Sequence, residues 1–271
     1  MLGGVGTLVV ARVGGVIGHF LAILFLGVLL AGCAAVGGAY EGDPDATADP
    51  LEAINRPIFA FNEVTDTLVL RPVSVVYRKW VPIPVKNNVR NVLEWLSLPL
   101  TFVHDILQGE TERAEAAAAR FVTNAMTVGL GDPASQLGHP PYHREDAGQT
   151  IATWGVEDGG PYLVLPILGP SNVRDAIGTV ADFLVDPAGL TGTRVAVGRK
   201  VSEAVDWRAR NMEEIDDFRR TSIDYYAGVR SMYRQRRQID IRNGEFDMLQ
   251  PAPVLGMGLD FFEYGRAQTT E

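Results

Sequence analysis

The 271-residue sequence has one cysteine, Cys33, and four histidines. A single thiol excludes an intramolecular disulfide and any zinc site built on cysteine pairs. Positive charge is scarce. Lys and Arg number 24 against 33 Asp and Glu, a net charge of −9, whereas nucleic-acid binding needs clustered cations on phosphates. Catalytic signatures are missing too. There is no Gly-x-Ser-x-Gly elbow, no His-Glu-x-x-His pair and no phosphate-binding glycine loop followed by Lys-Ser or Lys-Thr. That argues against an α/β-hydrolase lipase and the other motif-bearing enzymes, and no enzyme is expected. His139 and His143 are four apart, but Pro140 and Pro141 exclude the helix that would align them, so no metal site is expected. Strand signals are nearly absent, which makes the fold class all-α.

What is present begins at the N-terminus. Residues 1–12 carry one charge, Arg12, and Val13 to Leu30 is apolar apart from His19. The run is long enough to raise a transmembrane alternative, which Gly14, Gly15 and Gly18 weaken. Small residues follow, and then Leu30-Ala31-Gly32-Cys33. This is a secretory signal over 1–32, and its end resembles the bacterial lipobox. Cys33 is then the lipidated first residue of the mature chain, and no cofactor is expected beyond its acyl chains. Two or three such chains hold a protein stably on a bilayer. Ala34 stands where an Asp would resemble the inner-membrane retention signal, so the expected location is the periplasmic leaflet of the outer membrane. The mature chain keeps 23 basic and 33 acidic side chains, a net −10.

Residues 33–48 are small and acidic, a flexible tether. A helix is expected over 50–68, with Pro57 marking a break or restart, and a helical turn or two between prolines over 73–81. Asn87 to Gln108 is a helix whose apolar face is too wide, either buried all round or facing lipid, kinked at Pro99 and ended by Gly109. Thr111 to Met126 is a helix with Thr111 as its cap. Residues 151–170 are apolar and rich in Gly and Pro, and Leu163–Leu165 there could pass for a strand but, without partners at regular spacing, is expected to be a buried loop. Ser171 caps a helix to about Leu184. From 194 the pattern turns to ordinary amphipathic helices, soluble over 200–243, ending in Arg230, Arg234, Arg236, Arg237 and Arg242. These arginines suit either anionic headgroups and an acidic partner or a solvated helix C-terminus. The acidic residues are expected on solvated helix faces, and His104 as a hydrogen-bonded core histidine. The tail 246–271 is expected to be loosely ordered. No apolar run of 18 residues survives removal of the signal.

Specific motifs then accumulate in order. Asp49-Pro50-Leu51-Glu52-Ala53-Ile54-Asn55-Arg56 with Phe61-Asn62 comes first, then Leu70-Arg71-Pro72-Val73, Tyr77 and Val81-Pro82. Leu107-Gln108-Gly109, Arg120-Phe121 with Asn124, Asp146-Ala147-Gly148-Gln149-Thr150 and Trp154-Gly155-Val156 follow. The last are Gly160-Pro161-Tyr162 through Leu165-Pro166, Gly169-Pro170-Ser171 and Arg174-Asp175. This series over 49–187, with a weaker echo over 210–245, resembles the MlaA (VacJ) family of lipoproteins. The stretch Val128-Gly129-Leu130-Gly131-Asp132-Pro133-Ala134 departs from it in lacking an aromatic residue.

The resemblance implies a ring-shaped helical disc over 49–245, lying in one leaflet around an amphipathic channel. Mislocalised phospholipids would leave the outer leaflet through it, pass to a periplasmic carrier of the MlaC type and so preserve lipid asymmetry, with a trimeric porin as a further partner. Asn55, Arg56, Asn62, Asn87, Asn88, Asn91 and Asn124 are candidates for the lumen, and Gly129 and Gly131 for a hinge or lip. The competing expectation is a structural envelope lipoprotein that scaffolds a periplasmic complex through 200–243.

Overall fold

The computed structural model describes residues 49–186 and 192–244. The signal, Cys33, the tether and the tail 246–271 lie outside the described residues. The chain divides at Ile54–Asn55 into two units. In the first, the Leu51 amide donates to Asp49 Oδ1 at 3.2 Å and the Glu52 amide to Asp49 O at 3.1 Å, an Asx-type opening of a helix.

The elements in order are helices α1 (Glu52–Thr65), a π-helical turn (Asp66–Leu70), α2 (Arg71–Trp80), α3 (Ile83–Gln108), α4 (Thr111–Ala125) and α5 (Pro133–Gln136). Then come α6 (Ala147–Thr153), strands β1 (Tyr162–Leu165) and β2 (Gly169–Asn172), α7 (Val173–Val185), α8 (Thr193–Arg210), α9 (Met212–Thr221) and α10 (Tyr225–Ile241). The fold is mostly helical, as the composition of the segments leads one to expect. Among the described residues no helix is long and apolar enough to cross a membrane.

Several local expectations need correction. Pro57 lies inside α1 and does not break it, whereas Pro99 lies inside α3 as expected, the helix running on to Gln108. Tertiary contacts outweigh the lost hydrogen bond: Asn55 and Phe59 flank Pro57, and both are packed on later elements. Thr111 is the first residue of α4, after Glu110 at the cap position. Asn172, not Ser171, caps α7, its side chain accepting the Asp175 amide. The stretch from 194 is three helices, broken at Asn211 and Ser222. Leu163–Leu165 is no loop: β1 pairs antiparallel with β2, Tyr162 facing Asn172 and Leu165 facing Gly169.

That hairpin is held by α1. Asn55 donates to Tyr162 O and accepts from the Val164 amide, both at 2.9 Å. Asn62, two helical turns on, donates to Leu165 O at 2.9 Å and accepts from the Ile167 amide at 2.7 Å. Residues seven apart share a helix face, so the two amides act as rungs of a ladder where a third strand would otherwise sit. Tyr162, Val164 and Tyr226 form a buried cluster under Ile58, Phe59 and Tyr233.

Helices α3 and α4 form a hairpin about Gly109, whose φ of +82° and paired 6→1 bond from the Glu110 amide to Asp105 O make a Schellman end. Ala114 and Ala117 are buried, and their small side chains let the helices approach. Trp95 stacks on Phe121 at 5.4 Å and donates its indole N–H to Phe121 O at 3.0 Å. Helices α6 and α7 touch backbone to backbone: a Cβ on Gly178 would stand 2.5 Å from the Gly148 amide nitrogen.

Helices α2, α8 and α9 meet through charge. Arg208 is buried and binds Asp66 through Nε at 2.9 Å and Asp216 through Nη2 at 2.8 Å. Arg71 binds Asp216 from the other side at 2.8 Å. The hydrogen bond from Arg71, helped by that from Arg208 and opposed by burial, holds the Asp216 carboxyl down at about 2.

Two outcomes follow from these contacts. Asn55→Leu strands Tyr162 C=O and the Val164 amide in the interior, which costs about 3 kcal/mol in chemical denaturation; wild-type stability would show the clamp to be dispensable. Asp216, depressed in the folded state from 3.8 to about 2, adds stability above pH 3.8 that disappears as pH falls through 2. Carboxyl NMR should place its midpoint near 2, and a midpoint near 4 would mean that the Arg71 and Arg208 contacts are not made in solution.

Candidate functional site

The distribution of polarity is the first feature of the site. On α3 the buried side chains are Leu98, Thr101, His104 and Asp105, spaced at helical intervals, while Phe102, Val103, Ile106 and Leu107 are exposed. The over-wide apolar face therefore has a polar side turned inward and an apolar side turned outward. The pattern recurs across the chain. Among the described residues, 17 polar or charged side chains are buried, against 13 hydrophobic ones, of which seven are alanine. In the same set 34 large hydrophobic side chains are exposed. They run from Phe61 and Val64 through Leu68, Trp80, Ile83, Met126, Leu137, Ile167 and Leu184 to Val201 and Trp207; beyond Trp207, Ile223 is the one such residue among those described. A water-soluble monomer rarely exposes apolar surface on this scale.

The buried polar groups form linked networks. Asp146 caps α6 and takes Arg237 in a two-pronged pair at 2.6 and 2.7 Å. The same guanidinium reaches Asp175 at 2.8 Å, and Tyr233 donates its hydroxyl to Asp175. Arg174 binds Asp175 at 2.9 Å and the carbonyls of Val156 and Glu157. Burial opposes the charge on Asp146, but the Arg237 bonds and charge and the Gln149 amide outweigh it and hold the carboxyl below its ordinary value. Further along, His104 bonds Thr150 and Asp182, both at 2.9 Å, and is the hydrogen-bonded core histidine the sequence suggests. Arg120 is buried, binds Asp132 at 2.9 Å and Pro140 O at 2.9 Å, and so ties down the chain after α4.

A third network joins α3 and α4 to the connection before α6. Asp105 Oδ2 contacts His143 Nε2 at 2.9 Å. Glu145 accepts Arg113 Nη2 at 2.6 Å and the side-chain amides of Gln108 and Gln149. Burial raises the Glu145 carboxyl above its usual range, despite hydrogen bonds from Gln108 and Arg113. The acidic residues expected on solvated faces are thus in part interior: Asp105, Glu145, Asp175, Asp186 and Asp206 are buried, Asp186 against Arg199 and Asp206 against Tyr77 and Arg210. The signal in the sequence was the polar series Thr101, His104, Asp105 and Gln108 at helical spacing inside an apolar run.

The residues singled out as lumen candidates go to different places. Asn55 and Asn62 clamp the hairpin. Asn124 donates to Asp132 and accepts the Ala134 amide, both at 3.0 Å. Arg56 pairs with Asp224 at 2.6 Å and lies 4.5 Å over the Tyr226 ring. Asn91, more than two turns into α3, donates to Leu130 O at 3.2 Å. Asn87 Oδ1 is buried and lacks a hydrogen-bond partner in this structure. Of the arginines on α10, Arg236 pairs with Asp240 at 2.9 Å and Arg230 lies over Tyr226. Arg237 is a correction: only 13% exposed, it is no surface cation, because two interior carboxylates need its charge. The two glycines also differ. Gly129 has φ +73°, and a Cβ there would strike the Trp95 ring at 2.8 Å; at Gly131 the nearest atom would be 3.4 Å away.

Comparison with known proteins gives this arrangement a context. The family model described as MlaA lipoprotein matches residues 47–240. The chain belongs to the MlaA lipoprotein family. It is similar to the intermembrane phospholipid transport system lipoprotein MlaA of Shigella flexneri, 34% identical over 83% of this chain and 90% of that relative. The protein of the same name from Escherichia coli K12 is 33% identical over the same shares, and that of Haemophilus influenzae 30% identical over 81% and 91%. A solved structure concerned with the maintenance of bacterial outer-membrane lipid asymmetry aligns with a TM-score of 0.66 and 32% identity, over 72% of this chain and 99% of that one. The MlaA relatives are named for lipid transport and not for catalysis.

The glycine geometry yields a contrast. Gly129→Ala forces a strained backbone and displaces Trp95 from its stack on Phe121, so it lowers the melting temperature by several degrees, a loss of about 2 kcal/mol or more. Gly131→Ala stays within about 0.5 kcal/mol of wild type. Equal melting temperatures for the two variants, read by circular dichroism, would refute the packing of Gly129 on Trp95.

Proposed function

We propose that the mature chain is an outer-membrane lipoprotein that removes mislocalised phospholipids from the outer leaflet. It lies in the periplasmic leaflet as a helical disc with an amphipathic passage, hands the lipid to a soluble periplasmic carrier of the MlaC type, and works beside a trimeric porin. No bond in the lipid is made or broken. The carrying observation is the inverted polarity: buried polar networks within, large apolar side chains outside, and no helix of spanning length among the described residues. A protein bathed in one leaflet must satisfy its backbone internally and show apolar groups to the acyl chains. The membership of the chain in the MlaA family supports the same reading.

Asn87 and Asn88 are the lumen candidates this reading retains, since Asn55, Asn62, Asn124 and Arg56 hold other elements and Asn91 bonds Leu130 O. Arg230, Arg234 and Arg236 stay proposed for headgroups or an acidic partner. The lipid on Cys33 then guides insertion of a body that is itself immersed.

Cells lacking the protein should carry more phospholipid in the outer leaflet, measured as hydrolysis by a phospholipase added from outside. Re-expression should reverse the gain. Unchanged accessibility would overturn the proposal.

A further inference from the structure

The connection 139–146 brings His143 away from His139 and against two interior carboxylates. Side-chain donor atoms of Asp105, His143 and Glu145 all lie within 4.8 Å of one another. Asp105 is 0% exposed, and its Oδ1 has no hydrogen-bond partner. The nearest cation to that oxygen is Arg113 Nε at 3.7 Å, beyond hydrogen-bond reach. The Glu145 side chain is 1% exposed and shares the same guanidinium. Two buried carboxylates therefore share one permanently charged cation, Arg113, with the His143 imidazole beside them. Interior Asp and Glu are rare unless their charge is met.

We propose that Asp105, His143 and Glu145 form a binding site for a divalent transition-metal ion of the zinc type. The donor set is one imidazole nitrogen and two carboxylate oxygens, which suits zinc better than the all-oxygen shells that calcium and magnesium prefer. Zinc bonds of about 2.1 Å put tetrahedral donors about 3.4 Å apart. The cluster contracts to that size if Asp105 Oδ1 turns inward and Arg113, 27% exposed, swings toward solvent. His143 is 16% exposed, which gives the ion a way in and a water a fourth position. Gln108 and Gln149 already hydrogen-bond Glu145 and supply the outer contacts that orient a metal-binding carboxylate. Bound metal would staple the 139–146 connection to the last turn of α3. The test of this site does not depend on transport.

The mature protein in detergent, free of any histidine tag, is titrated with zinc against a chromophoric chelator. One equivalent is expected, with affinity reduced at least tenfold in His143→Gln and increased in Arg113→Gln, which removes the competing guanidinium. Wild-type protein that takes up no stoichiometric zinc overturns the proposal, as does His143→Gln binding equally well or Arg113→Gln binding more weakly. A second measurement needs no variant. Zinc-edge X-ray absorption of the wild-type complex should show a single imidazole among oxygen donors; an all-oxygen shell or two imidazoles would overturn the site.

Discussion

Arg237 is the contact on which much of the rest depends. One guanidinium on α10 meets the cap of α6 at Asp146 and the first turn of α7 at Asp175. Its planar fork can serve two carboxylates at once, which an ammonium cannot do with the same geometry. Removing it would leave Asp146 without its guanidinium and buried Asp175 with Arg174 alone, and breaking a buried pair in this way costs several kcal/mol in comparable cases. The space around it leaves no slack. A Cβ on Gly148 would fall 2.4 Å from Arg237 Nη2, and one on Gly178 would push α7 off α6. The small residues of Asp146-Ala147-Gly148-Gln149-Thr150 are therefore a packing requirement set by a charge.

On the proposed immersion in a leaflet, the polar interior follows from the surroundings. In water, apolar burial drives folding. A chain whose exterior meets acyl chains gains little from hiding leucine. Specific hydrogen bonds and ion pairs must then select the structure, as they do in part between membrane helices. The alanines at 114, 117, 147 and 152 bring helices close enough for those bonds to form. Helices α9 and α10 show the opposite habit, with charged outer faces, which suits a part that meets the periplasm.

Much of the helical layout was legible in the sequence. Gly109 ends α3 because its left-handed backbone is open to glycine, and the Asp, Asn and Pro signals stand close to the observed helix starts. The hairpin was not legible. Its strands are four residues long, and what stabilises β1 is a pair of asparagine side chains on a helix more than a hundred positions earlier. Pro57 misled for the same reason: contacts made at long range override a local preference. Most polar candidates were found as residues but not as roles. Asn55 and Asn62 were picked out for polarity in an apolar context, and that polarity serves backbone groups of the hairpin. His143 was weighed only with His139, because sequence distance hides its approach to Asp105.

The asparagine clamp has a consequence for the journey of the chain. An open strand edge is a template on which another chain can add itself, and short strands rich in valine and leucine are apt to do so. Any exported lipoprotein must spend time in water before it reaches its bilayer. On β1 the outward carbonyl of Tyr162 and the amide of Val164 are already taken by Asn55, and Asn62 takes the carbonyl of Leu165 at the strand end and the amide of Ile167 in the turn beyond it. The edge is sealed by side chains, so self-association through that strand is closed off even though large apolar side chains elsewhere stay exposed.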